Sequence, residues 1–142
     1  MVEIVFRGKD LYTGEWVFGN YCKAELPADG GYEHFIIEIG KNGRARKIAP
    51  GTVGQYIGLL DSKGKKAFDG DITEDDRGRR WIIFRAPGGF GTSRTSEYNK
   101  EAVLRIYEEL GGLQNNGWFR QNHTIIGNAF DDRELLEDYH GR

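Results

Sequence analysis

Between Val53 and Ile72 the chain reverses direction twice. Val-Gly-Gln-Tyr-Ile-Gly-Leu-Leu is followed by Asp61-Ser62-Lys63-Gly64, then by Lys-Lys-Ala-Phe and a second turn at Asp69-Gly70-Asp71. Alternating apolar positions on both sides of a glycine turn predict strand, tight turn, strand. No helix of ordinary length fits between turns so closely spaced. The glycines and aspartates here are turn chemistry: glycine takes positive φ, and aspartate accepts hydrogen bonds from the backbone just ahead of it.

The rest of the chain is punctuated in the same way. Its 142 residues include 21 glycines and 3 prolines with no Gly-X-Y period, so many short strands are expected. Hydrophobic residues make up 38%, and aromatic rings, at 13%, supply core area that aliphatic side chains do not. Strands are expected near 3–7, 15–22, 32–39, 45–48, 52–60, 66–73, 81–85, 90–93, 118–120 and 124–128. Asn42-Gly43 is the strongest hairpin signal because both turn positions tolerate positive φ. One segment, 96–110, has helical periodicity, with Val103, Leu104, Tyr107 and Leu110 on one face and Gly111-Gly112 as its stop. A short helix is expected over 132–139. The fold class is therefore mainly β and antiparallel, with one core helix and a short C-terminal helix. It is read as a single unit over 1–142 that could subdivide at Pro50-Gly51 into 1–50 and 51–142. The expected core is Phe6, Trp16, Phe18, Tyr56, Leu59, Phe68, Ile72, Trp81, Ile83, Leu104 and Ile126.

Twenty basic and 22 acidic side chains give a net charge of −2, so no global positive field draws in nucleic acid. Cys22 is the only cysteine and permits no internal disulfide, which fits a reducing cytoplasm. The N-terminus lacks a signal-peptide layout, and no apolar run approaches the ~20 residues that span a bilayer. The expected location is the cytoplasm, with no membrane association.

No catalytic constellation emerges, and none is expected. His34, His123 and His140 are not spaced to converge on a metal, and Cys22 has no local signature of a nucleophile. The acidic run Asp69, Asp71, Glu74, Asp75 and Asp76 departs from calcium-loop spacing and reads as turns. Gly88-Gly89-Phe90-Gly91 lacks the lysine and helix of a phosphate loop. No metal and no cofactor are expected. Basic residues do gather at turns. Lys63, Lys65, Lys66, Arg77, Arg79 and Arg80, with Trp81, form a candidate nucleic-acid surface in which cations contact phosphates and the ring stacks on bases. No internal repeat stands out.

A resemblance adds to this reading. Phe6-Arg7-Gly8-Lys9, Thr13-Gly14-Glu15-Trp16-Val17-Phe18-Gly19, Val53-Gly54-Gln55-Tyr56-Ile57-Gly58-Leu59, Phe68-Asp69-Gly70-Asp71-Ile72, Ile126-Gly127-Asn128 and Glu134-Leu135-Leu136 follow one another as in the YopX family, which they resemble from near the first residue to near the last. The resemblance implies a mainly β protein with an SH3-like barrel from about Val53 onward, a phage or prophage origin in a bacterial host, and self-association. It brings no catalytic residues. Ile72-Thr73-Glu74 departs from the family's more apolar continuation, and Asn128 to Arg133 lacks a proline often found there. The functional expectation is a non-catalytic binding or assembly protein acting through protein contacts, as a homo-oligomer or with a phage or host protein. Nucleic-acid binding through the basic turns is the alternative.

Overall fold

The computed structural model describes residues 3–40, 42–86, 89–97 and 122–137. The expected helix over 96–110, including Leu104 of the expected core, lies outside these residues except for Ser96 and Glu97, which belong to a short 3-10 turn at Thr95–Glu97. The described chain is mainly β, in two antiparallel sheets. It divides into two compact units, Met1–Tyr56 and Ile57–Arg142.

In the first unit, β1 (Phe6–Lys9), β2 (Trp16–Glu25), β3 (Tyr32–Glu38) and β4 (Ala45–Ile48) pair in the order β4-β3-β2-β1, with the start of β5 (Gly54–Leu60) beside β1. Turn chemistry fixes this order. In the connection from β3 to β4, Asn42 and Gly43 both have positive φ, 57° and 67°, a conformation that Asn and Gly tolerate. Val17, Ile36 and Ile48 form the core, with Phe6 and Val53 packed against them. Two glycines make the packing possible. A Cβ at Gly8 would collide with Ile48, and one at Gly19 would collide with the carbonyl of Ile37.

The sheet curls until its two sides meet. Asp10 bridges Ile48, the Leu11 amide donates to the Lys47 carbonyl at 2.9 Å, and the Ala49 amide donates to the Lys9 carbonyl at 2.8 Å. At this seam Asp10 is buried and accepts from the amides of Tyr12 and Thr13, at 2.8 and 2.9 Å. Arg46 bridges it to Glu38. The Thr13 amide, then Arg46, lower the Asp10 carboxyl to a pKa of about 2.

In the second unit the remainder of β5 lies beside β6 (Lys66–Phe68), while β7 (Asp71–Asp75), β8 (Arg80–Ala86), β9 (Gly89–Arg94) and β10 (His123–Asn128) form a sheet in the order β10-β7-β8-β9. The strand expected over 66–73 is therefore two strands in different sheets. Gly70, at φ 94°, reverses the chain between them, and the Asp71 carboxylate accepts from the Phe68 amide at 2.8 Å. The Gly70 amide donates to the Ile83 carbonyl, and the Gly70 carbonyl accepts from Ala129, both at 2.8 Å. These bonds commit the turn to the four-stranded sheet. The described residues form no closed barrel, and they do not confirm the SH3-like barrel expected from about Val53 onward. Ala67 and Ile83 form the core, with Ile57, Leu59 and Ile125 against them. A short helix, α1 (Glu134–Glu137), follows β10.

The expected core holds at Phe68, Ile72 and Ile83, which are buried; Phe6, Trp16, Tyr56, Leu59 and Trp81 are half-buried. Phe18 and Ile126 are corrections, at 46% and 38% exposed. Phe18 alternates with the buried Val17 and Gly19 and so falls on the outer face. Ile126 sits where a bulge shifts the register of β10 against β7 between Ile125 and Gly127.

Candidate binding surfaces

The basic residues singled out above occupy two turns of the second unit, and the two turns are the same structure. Asp61-Ser62-Lys63-Gly64-Lys65-Lys66 joins β5 to β6, and Asp75-Asp76-Arg77-Gly78-Arg79-Arg80 joins β7 to β8. In the first, the Asp61 amide donates to the Lys65 carbonyl at 2.8 Å and the Gly64 amide to the Asp61 carbonyl at 3.0 Å. In the second, the Asp75 amide donates to the Arg79 carbonyl at 2.9 Å and the Gly78 amide to the Asp75 carbonyl at 3.0 Å. Asp61 Oδ1 accepts from the amides of Lys63 and Lys65, at 2.9 and 2.8 Å. Asp75 Oδ1 accepts from those of Arg77 and Arg79, both at 2.9 Å. The glycines stand at φ 80° and 78°. The shared pattern is Asp, any residue, basic, Gly, basic, basic.

Each aspartate spends its second oxygen on a neighbouring element. Asp61 Oδ2 accepts from the Ile125 amide at 2.9 Å. Asp75 Oδ2 accepts from Trp81 Nε1 at 2.9 Å and Arg79 Nε at 2.7 Å. Both aspartates are buried. Burial alone raises their carboxyls. At Asp61 the amides of Ile125, Lys65 and Lys63 outweigh it, and at Asp75 the Trp81 indole and the Arg79 and Arg77 amides do so. Both carboxyls end below the ordinary carboxylate range, so both are ionised at neutral pH.

One strand end joins the two turns. The Ser62 amide donates to the His123 carbonyl at 2.8 Å, and the Ser62 and Thr124 hydroxyls are hydrogen-bonded at 2.5 Å. His123 stands opposite Asp75, and Thr124 opposite Glu74, across the β10–β7 ladder. The His123 side chain is fully buried, hydrogen-bonded through Nδ1 to Thr73 Oγ1 at 2.7 Å, with its ring centroid 5.6 Å from that of Trp81. Burial pushes its pKa down. The fold thus brings Lys63, Lys65, Lys66, Arg77, Arg79, Arg80 and Trp81 to one end of the unit. Lys63, Lys65, Lys66 and Arg77 are exposed; Arg79, Arg80 and Trp81 are half-buried. The Arg79 and Arg94 guanidinium carbons lie 5.8 and 5.9 Å from the Trp81 ring centroid. With two cations, His123 and Asp75 around it, Trp81 is half-buried and only partly open for stacking. The sequence marks Asp61 and Asp75 as turn residues, but not that the start of β10 at His123 joins their two turns. The likeness of the turns is present in it as the same six-residue pattern offset by fourteen positions.

The first unit offers an open strand edge. β1 covers β2 only over Trp16–Gly19, while β3 pairs with Gly19–Glu25 on the other side. Phe18 O accepts from the Ile39 amide, and the Leu26 amide donates to Gly31 O, so even-numbered residues bond to β3. The amides and carbonyls of Tyr21, Lys23 and Glu25 therefore face the opposite edge, where among the described residues no strand pairs with them. Cys22, Lys23, Ala24 and Glu25 are all exposed. The arm is braced at its base by Tyr21, whose hydroxyl is 2.6 Å from His34 Nδ1 with the two rings stacked at 5.8 Å.

Among the described residues no three His, Cys, Asp or Glu side chains are grouped to hold a metal ion, and no helix is long and apolar enough to cross a membrane.

Two antiparallel β units, the second with two aspartate-locked turns, place the described chain among small, mainly β proteins. The sequence model of the family described as YopX protein matches residues 5–137, and the chain belongs to the YopX family. It is similar in fold to protein EF1440 from Enterococcus faecalis, known from a crystal structure, with a TM-score of 0.55 and 23% identity over 96% of this chain and 99% of that one. At that identity the likeness concerns the fold alone. No curated protein matches the chain.

Proposed function

We propose that this protein is a non-catalytic binding or assembly protein of a phage or prophage, acting through protein contacts in the bacterial cytoplasm, and that β2 is the strand through which it adds a second copy. The supporting observation is the edge at Tyr21, Lys23 and Glu25, with which no strand pairs among the described residues. An exposed edge with free amides and carbonyls is a template for another strand. On the other side of the first unit's strands, Ile48 of β4 is bridged to Asp10.

A second copy suits this edge by charge. Antiparallel pairing about Ala24 sets Lys23 of each chain opposite Glu25 of the other, twice, with the small Ala24 side chains at the centre. Opposite charges directly across a ladder stabilise the pair, and like charges destabilise it.

Size-exclusion chromatography with light scattering tests this. The intact chain is expected as a dimer. Lys23→Glu sets glutamate against glutamate and is expected to yield monomer, and the double exchange Lys23→Glu with Glu25→Lys is expected to restore the dimer. Lys23→Pro removes an outward amide without touching the β2–β3 ladder and is expected to block pairing. A monomer at every concentration of the unaltered protein overturns the reading.

A further inference from the structure

We propose that the paired basic turns of the second unit bind the sugar–phosphate backbone of duplex nucleic acid, without sequence preference. The inference is independent of strand addition at β2.

Three observations carry it. First, one turn architecture is used twice to display cations at one end of one unit. Across 61–66 and 74–80 the chain places six basic residues against four acidic ones, although the whole chain is net −2. Second, the acids that could cancel this charge are partly withdrawn. Asp61 and Asp75 are buried and bonded to turn amides, the Ile125 amide, the Trp81 indole and Arg79, which leaves Glu74 and Asp76 as the exposed acids of the two turns. Third, the aromatic ring at this end is partly covered. Single-stranded nucleic acid is held by base stacking as well as by charge, and the half-buried Trp81, with Arg79, Arg94 and His123 near its ring, presents only part of that ring for it. What remains is phosphate contact, which positions a protein on a duplex and reads no sequence.

The two turns are also held at a fixed spacing. Ser62 is bonded to His123 and Thr124, and these two residues stand opposite Asp75 and Glu74. The turn that carries Lys63 and Lys65 and the turn that carries Arg77 and Arg79 are therefore both tied to the start of β10. A duplex, with regularly spaced phosphates, rewards such preorganisation more than a flexible single strand does.

The test is fluorescence anisotropy of a short labelled duplex DNA of arbitrary sequence, titrated with the full chain at several salt concentrations. Four exposed cations acting together predict a loss of affinity on the order of a hundredfold between about 50 and 200 mM salt. Lys63→Glu with Arg77→Glu, one change in each turn, is expected to weaken binding at least tenfold at the lower salt. Arg44→Glu with Arg133→Glu alters net charge equally on exposed residues elsewhere and is expected to leave binding within twofold. If the first double variant melts earlier than the parent, Lys63→Gln with Arg77→Gln replaces it and is expected to weaken binding in the same direction. Absence of binding at the lower salt overturns the proposal, as does equal loss in the Arg44 and Arg133 control. Tighter binding of a single strand than of the duplex, or equal displacement by poly-aspartate at matched charge, also overturns it.

Discussion

The indole Nε1 of Trp81 donates a 2.9 Å hydrogen bond to Oδ2 of Asp75, the residue that also closes the turn leading into the Trp81 strand. One buried carboxylate thus fixes a turn, a guanidinium and a core ring together. Removing it leaves several donors without an acceptor, and the cost of stranded donors exceeds the net worth of the bonds themselves. Asp75→Ala is expected to lower unfolding free energy by about 3 kcal/mol. Asp75→Asn keeps one acceptor oxygen for the turn amides and is expected to cost about half as much. Urea denaturation followed by tryptophan fluorescence measures both, and equal values would show that the charge is irrelevant.

The likeness of the two turns is itself testable. Gly64 and Gly78 have nearly equal positive φ, with open space where a Cβ would stand. Alanine at either position meets only backbone strain, expected at about 1 kcal/mol each. The expected result in thermal or urea unfolding is two costs that agree within error. A large inequality would show that the turns differ in rigidity despite their shared bonding.

Gly19 makes the opposite case. Its Cβ would enter the carbonyl of Ile37 on the paired strand, whereas a Cβ at Gly14 meets nothing within 4 Å. Gly19→Ala is expected to cost about 2–3 kcal/mol by forcing β2 and β3 apart, against about 1 kcal/mol for Gly14→Ala, which carries only the strain of positive φ. The difference is read from urea midpoints at constant slope.

Stability is expected to fall on the acid side in two stages. His123 has its pKa lowered by burial, so the unfolded chain takes up the proton first. Its contribution is complete above the ordinary value of 6.5 and is lost as pH falls from there toward the folded-state pKa. Asp10, at about 2 against an ordinary 3.8, contributes fully above about 3.8 and loses that contribution as pH falls through about 2; Asp61 and Asp75, lowered likewise, act in the same direction. Melting temperature followed from pH 8 to pH 2 should show both stages, and His123→Asn should remove the first alone.

Much of the fold was legible because local chemistry decided it. Asn42-Gly43, Asp61 to Gly64 and the short apolar run of β8 each specify a turn or strand with nearest neighbours only. The sequence was misleading where a distant partner decides. Phe18 is as apolar as a core residue, yet the period of two places it outside because Val17 and Gly19 are inside. The stretch 66–73 reads as one strand until the bonds of Gly70 to Ile83 and Ala129 divide it between two sheets. The basic residues of the candidate surface were visible from composition. Their convergence was not, because it depends on Ser62 meeting His123 and Thr124, some sixty residues further on.

In the twin turns, shape and charge reside in different atoms. The aspartate, the glycine and the backbone amides hold the bend, while the lysines and Arg77 contribute only their main chain to it. Substitution at Lys63, Lys65 or Arg77 can therefore carry this end from cationic through neutral to anionic on an unchanged scaffold. Relatives that keep the aspartate and glycine could diverge in what they attract without renegotiating how they fold.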